Sequence, residues 1–441
     1  MVKKLFGTDG IRGIVGESPI TPDFCLNLGY TLGNIIVKKK LSPNVIIGKD
    51  TRVSGYLFES CLSAGLIYAG VNSHIVGPIP TPAIAYLTNK YKMSCGVVIS
   101  ASHNPYTDNG FKFFCADGHK ISDDFEKQIE DEINNEMIIS PQLGKLFRVS
   151  DSYNQYINFC INSISKDISL KGLKLVIDCA NGATYHLAPE IFRQLGADVI
   201  PIGCKPDGFN INLNCGSNHP QFLIKKVIEE NADLGIAFDG DGDRVIFVDS
   251  KQKIYNGDKL IYAILKDKLN EKTKIDGIVG TVMTNIAMEN ALKKLNVNFF
   301  RAPVGDRFVF EELTNRNWTL GGESSGHILC LDKHSTGDGI IASLQVLSAI
   351  VNLNKSLSDI VDWDDYPQTI INVKLNKLNH NVIDNAKDLI NIAKQNLEGN
   401  GRVIVRLSGT EPVVRVTVES IEPEISRLWA NRIADRIRGI S

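Results

Sequence analysis

Nine short apolar runs, each stopped by Gly or Asp and alternating with longer stretches of helical periodicity, constrain this chain more than any other feature. They fall into three triplets. The first is NVIIG from Asn44, SHIVG from Ser73 and CGVVIS from Cys95; the second is KLVIDC from Lys174, ADVIPIG from Ala197 and LGIAFD from Leu234. The third is DGIVG from Asp276, NVNFF from Asn296 and WTLGG from Trp318. Within a triplet the runs start roughly 20 to 40 residues apart, room for one crossover helix between neighbouring strands. The pattern predicts three similar α/β domains with parallel or mixed sheets.

The rest of the chain reads differently. After VDWDDYPQT come IINVKL, a helical stretch NVIDNAKDLINIAKQNLEG, two strand-like runs around SGTEP in RVIVRLSGTEPVVRVTVES, and a last helix. That is a smaller α+β domain behind an Asp-rich linker. The expected domains are therefore 1–150, 151–252, 253–365 and 366–441. A chain of 441 residues can bury large cores without metal or disulfide staples. The nine cysteines are scattered, with no CxxC pair, which argues against zinc and for reduced thiols in a cytoplasmic protein. A net charge of -2 gives no global field for nucleic acid or an anionic membrane, so an anionic ligand must be met by local basic residues. The N-terminal MVKKLFGTDG meets Gly, Thr and Asp before a signal-type apolar region develops. GIIASLQVLSAIV, from Gly339, is too short to cross a bilayer and reads as a buried helix.

In α/β sheets ligands gather beyond the carboxyl ends of strands. The third run of each triplet ends there in a polar loop: SASHNP at Ser100, DGDGDR at Asp239 and GGESSGH at Gly321. With RLSGTEP from Arg406, four loops from four domains can serve one cleft. In FDGDGDR, three carboxylates at i, i+2 and i+4 repel one another unless a cation sits among them, and an oxygen-only set favours a hard ion, Mg2+ first. An EF-hand reading fails, because its sixth and twelfth positions are Arg244 and Ser250 instead of Gly and Glu. In GGESSGH, Gly322, Ser324 and Gly326 match the G-x-S-x-G elbow of serine hydrolases, the competing enzyme reading, but no HGGG-type segment precedes them and His334 and His380 lie in ordinary polar contexts. Glu323, Ser325 and His327 form instead a polar set suited to sugar hydroxyls or an amine. Arg406, Ser408, Gly409, Thr410 and Arg415 offer hydroxyls, backbone N–H groups and guanidinium forks to a phosphate dianion. Near a divalent ion, Ser102 can carry a phosphoryl group, with Lys112 as a charge partner.

FGTDGIRG at Phe6, GKDTRVSG at Gly48, TPA at Thr81, ISASHNPYTDNGFKFF at Ile99, DCANGA at Asp178, AFDGDGDR at Ala237, VGDR at Val304, GGESSGH at Gly321 and SGTEPVVRV at Ser408 run in the order seen in the α-D-phosphohexomutases. The resemblance spans essentially the whole chain. In FGTDGIRG, SASHNPYTDNGFKFF and STGDG at Ser335 it is closer to the amino-sugar branch than to the phosphomannomutase/phosphoglucomutases, whose activity is the alternative. The resemblance implies three similar α/β domains and a smaller α+β domain around a central active-site cleft. It implies Ser102 as the phosphorylated serine, one Mg2+ held by Asp239, Asp241, Asp243 and a phosphoserine oxygen, and Arg12, His103, Lys112 and Arg244 around the transferring phosphoryl. By the same resemblance Glu323, Ser325 and His327 recognise the sugar, and Arg406, Ser408, Gly409, Thr410 and Arg415 bind its phosphate. The implied reaction interconverts glucosamine 6-phosphate and glucosamine 1-phosphate through glucosamine 1,6-bisphosphate, feeding UDP-N-acetylglucosamine synthesis. A sugar bisphosphate is then both intermediate and activator. The implied partners are a hexosamine phosphate and a phosphoryl donor for Ser102, with no nucleic acid or membrane; a homodimer is left open. Lys112 and His327 are the candidate general bases.

Overall fold

The computed structural model describes residues 5–7, 9–375, 381–407 and 413–440. The chain divides into two compact units: residues up to Met283 with Phe300–Ile360, and Thr284–Phe299 with Val361 onward. All nine apolar runs are strands, and each of the three large sheets repeats one device. Its third run turns straight back into an antiparallel neighbour that the triplets did not include.

In the first sheet β1 (Ile11–Ile14), β2 (Asn44–Lys49), β3 (Asn72–Pro78), β4 (Cys95–Ile99), β5 (Asp108–Cys115) and β6 (Leu146–Arg148) stand in the order β1-β5-β4-β2-β3-β6. Strand β2 pairs in parallel with both β3 and β4, while β5 runs antiparallel to β4, pairing Ile99 with Phe111. Val45, Ile47, Val97, Ile99, Phe111 and Phe113 bury one face against the helices Pro22–Lys38 and Ser54–Tyr68. The first of those helices is capped by Thr21, whose hydroxyl accepts from Phe24 N–H, with Pro22 at its first position.

The second sheet holds β7 (Lys174–Asp178), β8 (Asp198–Ile202), β9 (Leu234–Phe238), β10 (Val245–Asp249) and β11 (Ile254–Tyr255) in the order β11-β10-β9-β7-β8. Strands β8, β7 and β9 are parallel, and β10 returns antiparallel to β9, pairing Phe238 with Val245. In the third sheet β12 (Gly277–Thr281), β13 (Asn298–Ala302), β14 (Leu320–Gly322) and β15 (Ile328–Cys330) follow the order β13-β12-β14-β15, and β15 is antiparallel to β14. The Gly339–Leu353 segment is the buried helix its composition indicates, with Asp338 as N-cap accepting from the N–H groups of Ile340 and Ile341. Among the described residues no helix is long and apolar enough to cross a membrane.

In the second unit β16 (Gln368–Lys374), β17 (Gly401–Leu407) and β18 (Val413–Ser420) form an antiparallel sheet in the order β16-β18-β17. Val373, Val403, Val414, Val416 and Val418 pack against Ile390, Trp429, Ile433 and Ile437 from helices Lys387–Asn396 and Pro423–Ile440, the α+β arrangement expected from the sequence. The expected first helix of this domain is broken into Asn381–Asp384 and Lys387–Asn396.

Candidate active site

The hairpin device explains the chemistry-bearing loops. The β4–β5 connection carries Ser102, the β9–β10 connection carries Asp239, Asp241 and Asp243, and the β14–β15 connection carries Glu323, Ser325 and His327. A parallel strand ends, its polar loop lies at the carboxyl edge, and the returning strand fixes both ends of that loop.

Ser102 is buried, and its hydroxyl donates to Asp239 Oδ2 at 2.6 Å. The single hydroxyl proton is thereby committed, so His103 Nδ1, 3.3 Å from Ser102 Oγ, faces the oxygen as a donor. Burial and the neighbouring Arg244 and Arg12 push the His103 imidazolium down to about 4, so the ring is neutral near pH 7. Asp239, Asp241 and Asp243 are all buried, each with a carboxylate oxygen within 4.8 Å of the others'. Burial, then the charges of Asp243 and Asp241, raise Asp239 well above the ordinary carboxylate range. Burial acts the same way on Asp243, but Lys112, His327 and Arg244 outweigh it and hold that group well below.

Lys112 lies on β5 with its ammonium buried, 2.9 Å from Asp241 Oδ2, 2.9 Å from Asp243 Oδ2 and 3.1 Å from Asp9 Oδ2. Burial alone would lower it, yet the three carboxylates raise it well above the usual lysine value. Thr81 also donates to Asp241 Oδ2 at 2.5 Å. The remaining oxygens, Asp241 Oδ1 and Asp243 Oδ1, are buried without a hydrogen-bond partner. Buried carboxylate oxygens left open within a three-carboxylate cluster fit a hard cation with oxygen ligands.

Beside the cluster lies a cavity of about 660 Å³, lined among others by Arg12, His103, Arg244, Glu323, Ser325 and His327. Arg12 pairs with Asp9 and leaves its Nε unpartnered; Arg244 Nε and Ser325 Oγ are likewise buried and unpartnered. Glu323 Oε1 accepts from Gly305 N–H at 3.0 Å. His327 stands 3.6 Å from Asp243 and 3.4 Å from Asp306, and although burial opposes it, Asp243 and Asp306 bring the imidazolium up to about 9. Three groups at this site escaped the sequence reading. Asp9, Lys120 and Asp306 form a chain in which Lys120 Nζ bridges Asp9 Oδ1 and Asp306 Oδ2 at 2.5 Å each. Asp9 and Asp306 lie within FGTDGIRG and VGDR, and that motif membership was the only available signal.

Ser324 of the competing hydrolase reading lines the same cavity, but His334 is not offered to it. His334 Nε2 donates to Pro82 O at 2.9 Å, and its Nδ1 accepts from Ser335 N–H at 2.8 Å. His380 lies outside the described residues. In the second unit Arg406 and Arg415 are directly paired across β17 and β18, so both side chains project from one face of that sheet, and Arg415 Nε is buried without a partner. Ser408, Gly409 and Thr410 lie outside the described residues.

Models of the phosphoglucomutase/phosphomannomutase family match the chain in four consecutive stretches. These are alpha/beta/alpha domain I over residues 3–138, domain II over 151–252, domain III over 256–366 and the C-terminal domain over 370–436. The chain is 52% identical over 442 residues to the phosphoglucosamine mutase of Neisseria meningitidis serogroup C (strain 053442), covering 99% of each. Among solved structures it is similar to a phosphoglucomutase/phosphomannomutase family protein from Burkholderia thailandensis, with a TM-score of 0.80 at 22% identity, covering 100% of this chain and 97% of that one. It also resembles the Aspergillus fumigatus N-acetylphosphoglucosamine mutase solved with GlcNAc-6P and magnesium, with a TM-score of 0.67 at 15% identity, covering 99% of this chain and 95% of that one.

Proposed function

The chain belongs to the phosphoglucomutase/phosphomannomutase family, and from that premise we propose that it interconverts glucosamine 6-phosphate and glucosamine 1-phosphate through a phosphorylated Ser102. The observation that carries the proposal is the 2.6 Å contact between the Ser102 hydroxyl and Asp239, in a carboxylate cluster with open oxygens beside a cavity rich in unpartnered cationic donors. A simple sugar-binding protein has no use for a buried serine among three carboxylates.

The phosphoryl on Ser102 Oγ passes to O1 of glucosamine 6-phosphate: the Oγ–P bond breaks, the O1–P bond forms, and the proton lost by the sugar hydroxyl replaces the phosphoryl on Oγ. The resulting glucosamine 1,6-bisphosphate turns over and returns its 6-phosphoryl to Oγ: the O6–P bond breaks, the Oγ–P bond forms again, and the serine proton passes to O6, leaving glucosamine 1-phosphate. Asp239, Asp241 and Asp243 would hold one Mg2+ together with a phosphoserine oxygen, and that ion supplies charge neutralisation to the phosphoryl group. Arg12 and Arg244, with their Nε donors unused, provide oriented positive charge for phosphoryl oxygens. His103, neutral and next to Oγ, orients the serine oxygen. Glu323, Ser325 and His327 read the sugar, while Arg406 and Arg415, with Ser408, Gly409 and Thr410, bind its phosphate.

The test is turnover. The purified chain, phosphorylated on Ser102 and supplied with Mg2+, is given glucosamine 6-phosphate, and 31P NMR follows the appearance of glucosamine 1-phosphate. Parallel runs use glucose 6-phosphate and mannose 6-phosphate. Faster turnover of a neutral sugar than of the amino sugar would replace the proposal with a phosphomannomutase/phosphoglucomutase activity.

A further inference from the structure

Ser102 has φ of +50°, a left-handed backbone that an L-residue adopts only when its surroundings enforce it. Those surroundings converge on Arg52, a fully buried arginine just beyond β2. Its Nε donates to Asp50 Oδ2 at 2.8 Å, and its Nη2 donates to the carbonyls of Ser102 at 3.0 Å and Asn104 at 2.9 Å. Its Nη1 donates to the carbonyls of Asp108, at 3.1 Å, and Pro105. All five guanidinium N–H groups are thus used, four of them on backbone oxygens of one loop. A buried charge persists only when it is so satisfied.

Behind it, Asp50 closes a ring. Its Oδ2 accepts the Ser100 hydroxyl at 2.6 Å, and Ser100 Oγ accepts the Ser102 N–H at 2.9 Å. From the other side Asn212, in the segment following β8, donates its amide to the same two carbonyls, Ser102 O at 2.9 Å and Asn104 O at 3.0 Å. The loop bearing the serine is therefore held from its own domain and from the domain that carries the three aspartates. Asp50, Arg52, Ser100 and Asn212 do not line the sugar cavity, so their effect on turnover passes through the loop they hold, which carries Ser102 and His103.

We propose that Arg52, braced by Asp50 and assisted by Asn212, is a positioning residue for phosphoryl transfer, holding the Ser102–Asp108 loop so that Oγ stays at the carboxylate cluster. The proposal rests on Ser102 being the phosphoryl carrier. Lysine cannot substitute, because its three donors on one nitrogen cannot span four carbonyls that a planar five-donor fork reaches at once.

The test compares the full-length wild type with Arg52→Lys and Asn212→Ala, by kcat and KM for glucosamine 6-phosphate, by melting temperature, and by amide hydrogen exchange across residues 101–110. We expect KM within about threefold of wild type and kcat down about 30- to 100-fold in Arg52→Lys, with a smaller loss in Asn212→Ala. Amides of 101–110 should exchange at least about tenfold faster in both, with other regions unchanged. Wild-type kcat in both variants, a loss confined to KM, or unaltered exchange at 101–110 would overturn the proposal. Should Arg52→Lys fail to fold, Asn212→Ala decides by the same criteria. If the wild type itself turns over no sugar phosphate, the carrier reading fails separately, and the exchange data alone decide whether the loop is held as described.

Discussion

Replacing Glu323 by Gln probes the step from site geometry to substrate choice. Hexose phosphates share the phosphate, so the protein must read the C2 substituent, an amine in the amino sugar and a hydroxyl in the neutral ones. Glu323 is an acidic side chain in the β14–β15 loop, lines the cavity, and has one oxygen committed to Gly305 N–H at 3.0 Å. Gln keeps an amide oxygen for that bond, so the loop geometry survives, while the charge facing the cavity disappears. A hydrogen bond to a charged group contributes about 1.5 to 3 kcal/mol, against about 0.5 to 1.5 for a neutral pair. The difference, about 1 to 1.5 kcal/mol, should take about five- to twelvefold off kcat/KM for the amino sugar and about twofold or less for glucose 6-phosphate. Both values come from initial rates on the phosphorylated variant with each sugar phosphate. Equal losses on both substrates would show that Glu323 grips hydroxyls and that discrimination lies elsewhere.

Asp241→Asn removes a carboxylate whose Oδ1 is open and whose Oδ2 binds Lys112, and should lower kcat by about 100-fold or more while weakening Mg2+ binding in a calorimetric titration. Gly240→Ala would put a Cβ 2.6 Å from Ser102 O and 2.7 Å from Asn212 Nδ2, wedging the aspartate loop off the serine loop; the expected cost is about 1 to 3 kcal/mol in stability with a marked fall in kcat, read by melting temperature and initial rates. Asp338 is buried and raised to about 6, by burial above all, so it keeps its proton in the folded state between about pH 4 and 6, where the unfolded chain has lost it. Its contribution to stability thus falls as pH rises through that window, by about 2 to 3 kcal/mol. Asp338→Asn, which retains an acceptor for Ile340 and Ile341, should gain in melting temperature relative to wild type as pH goes from 4.5 to 7, and a pH-independent difference would count against this.

The strand triplets were legible because buried parallel strands are written as continuous β-branched runs that Gly and Asp terminate. Their antiparallel partners were harder to read. Strand β5 mixes Asp108, Asn109 and Lys112 with its aromatics, and β15 is three residues long, too short for any period to show. The acidic cluster could be proposed from local spacing alone. The Lys112 contacts to Asp241 and Asp243 join residues 129 and 131 positions apart, so only the folded chain reveals which carboxylates it meets. Arg52 sits in GKDTRVSG as one more polar-loop arginine, and nothing local indicates that its fork is buried against four carbonyls. Asp9 and Asp306 lie within motifs, but their role depends on Lys120 bridging them across more than a hundred positions each, which no local pattern shows.

A labelled-phosphoryl chase reads whether Ser102 carries the phosphoryl group. The chain is 32P-labelled, mapped by peptide mass analysis, and mixed with unlabelled glucosamine 6-phosphate and Mg2+ for less than one turnover. Label should start on the peptide containing Ser102, move into glucosamine 1,6-bisphosphate, and be absent throughout from Ser102→Ala, which should keep the wild-type melting temperature and lose turnover. Label on another residue, or normal turnover by Ser102→Ala, would rule Ser102 out as the carrier.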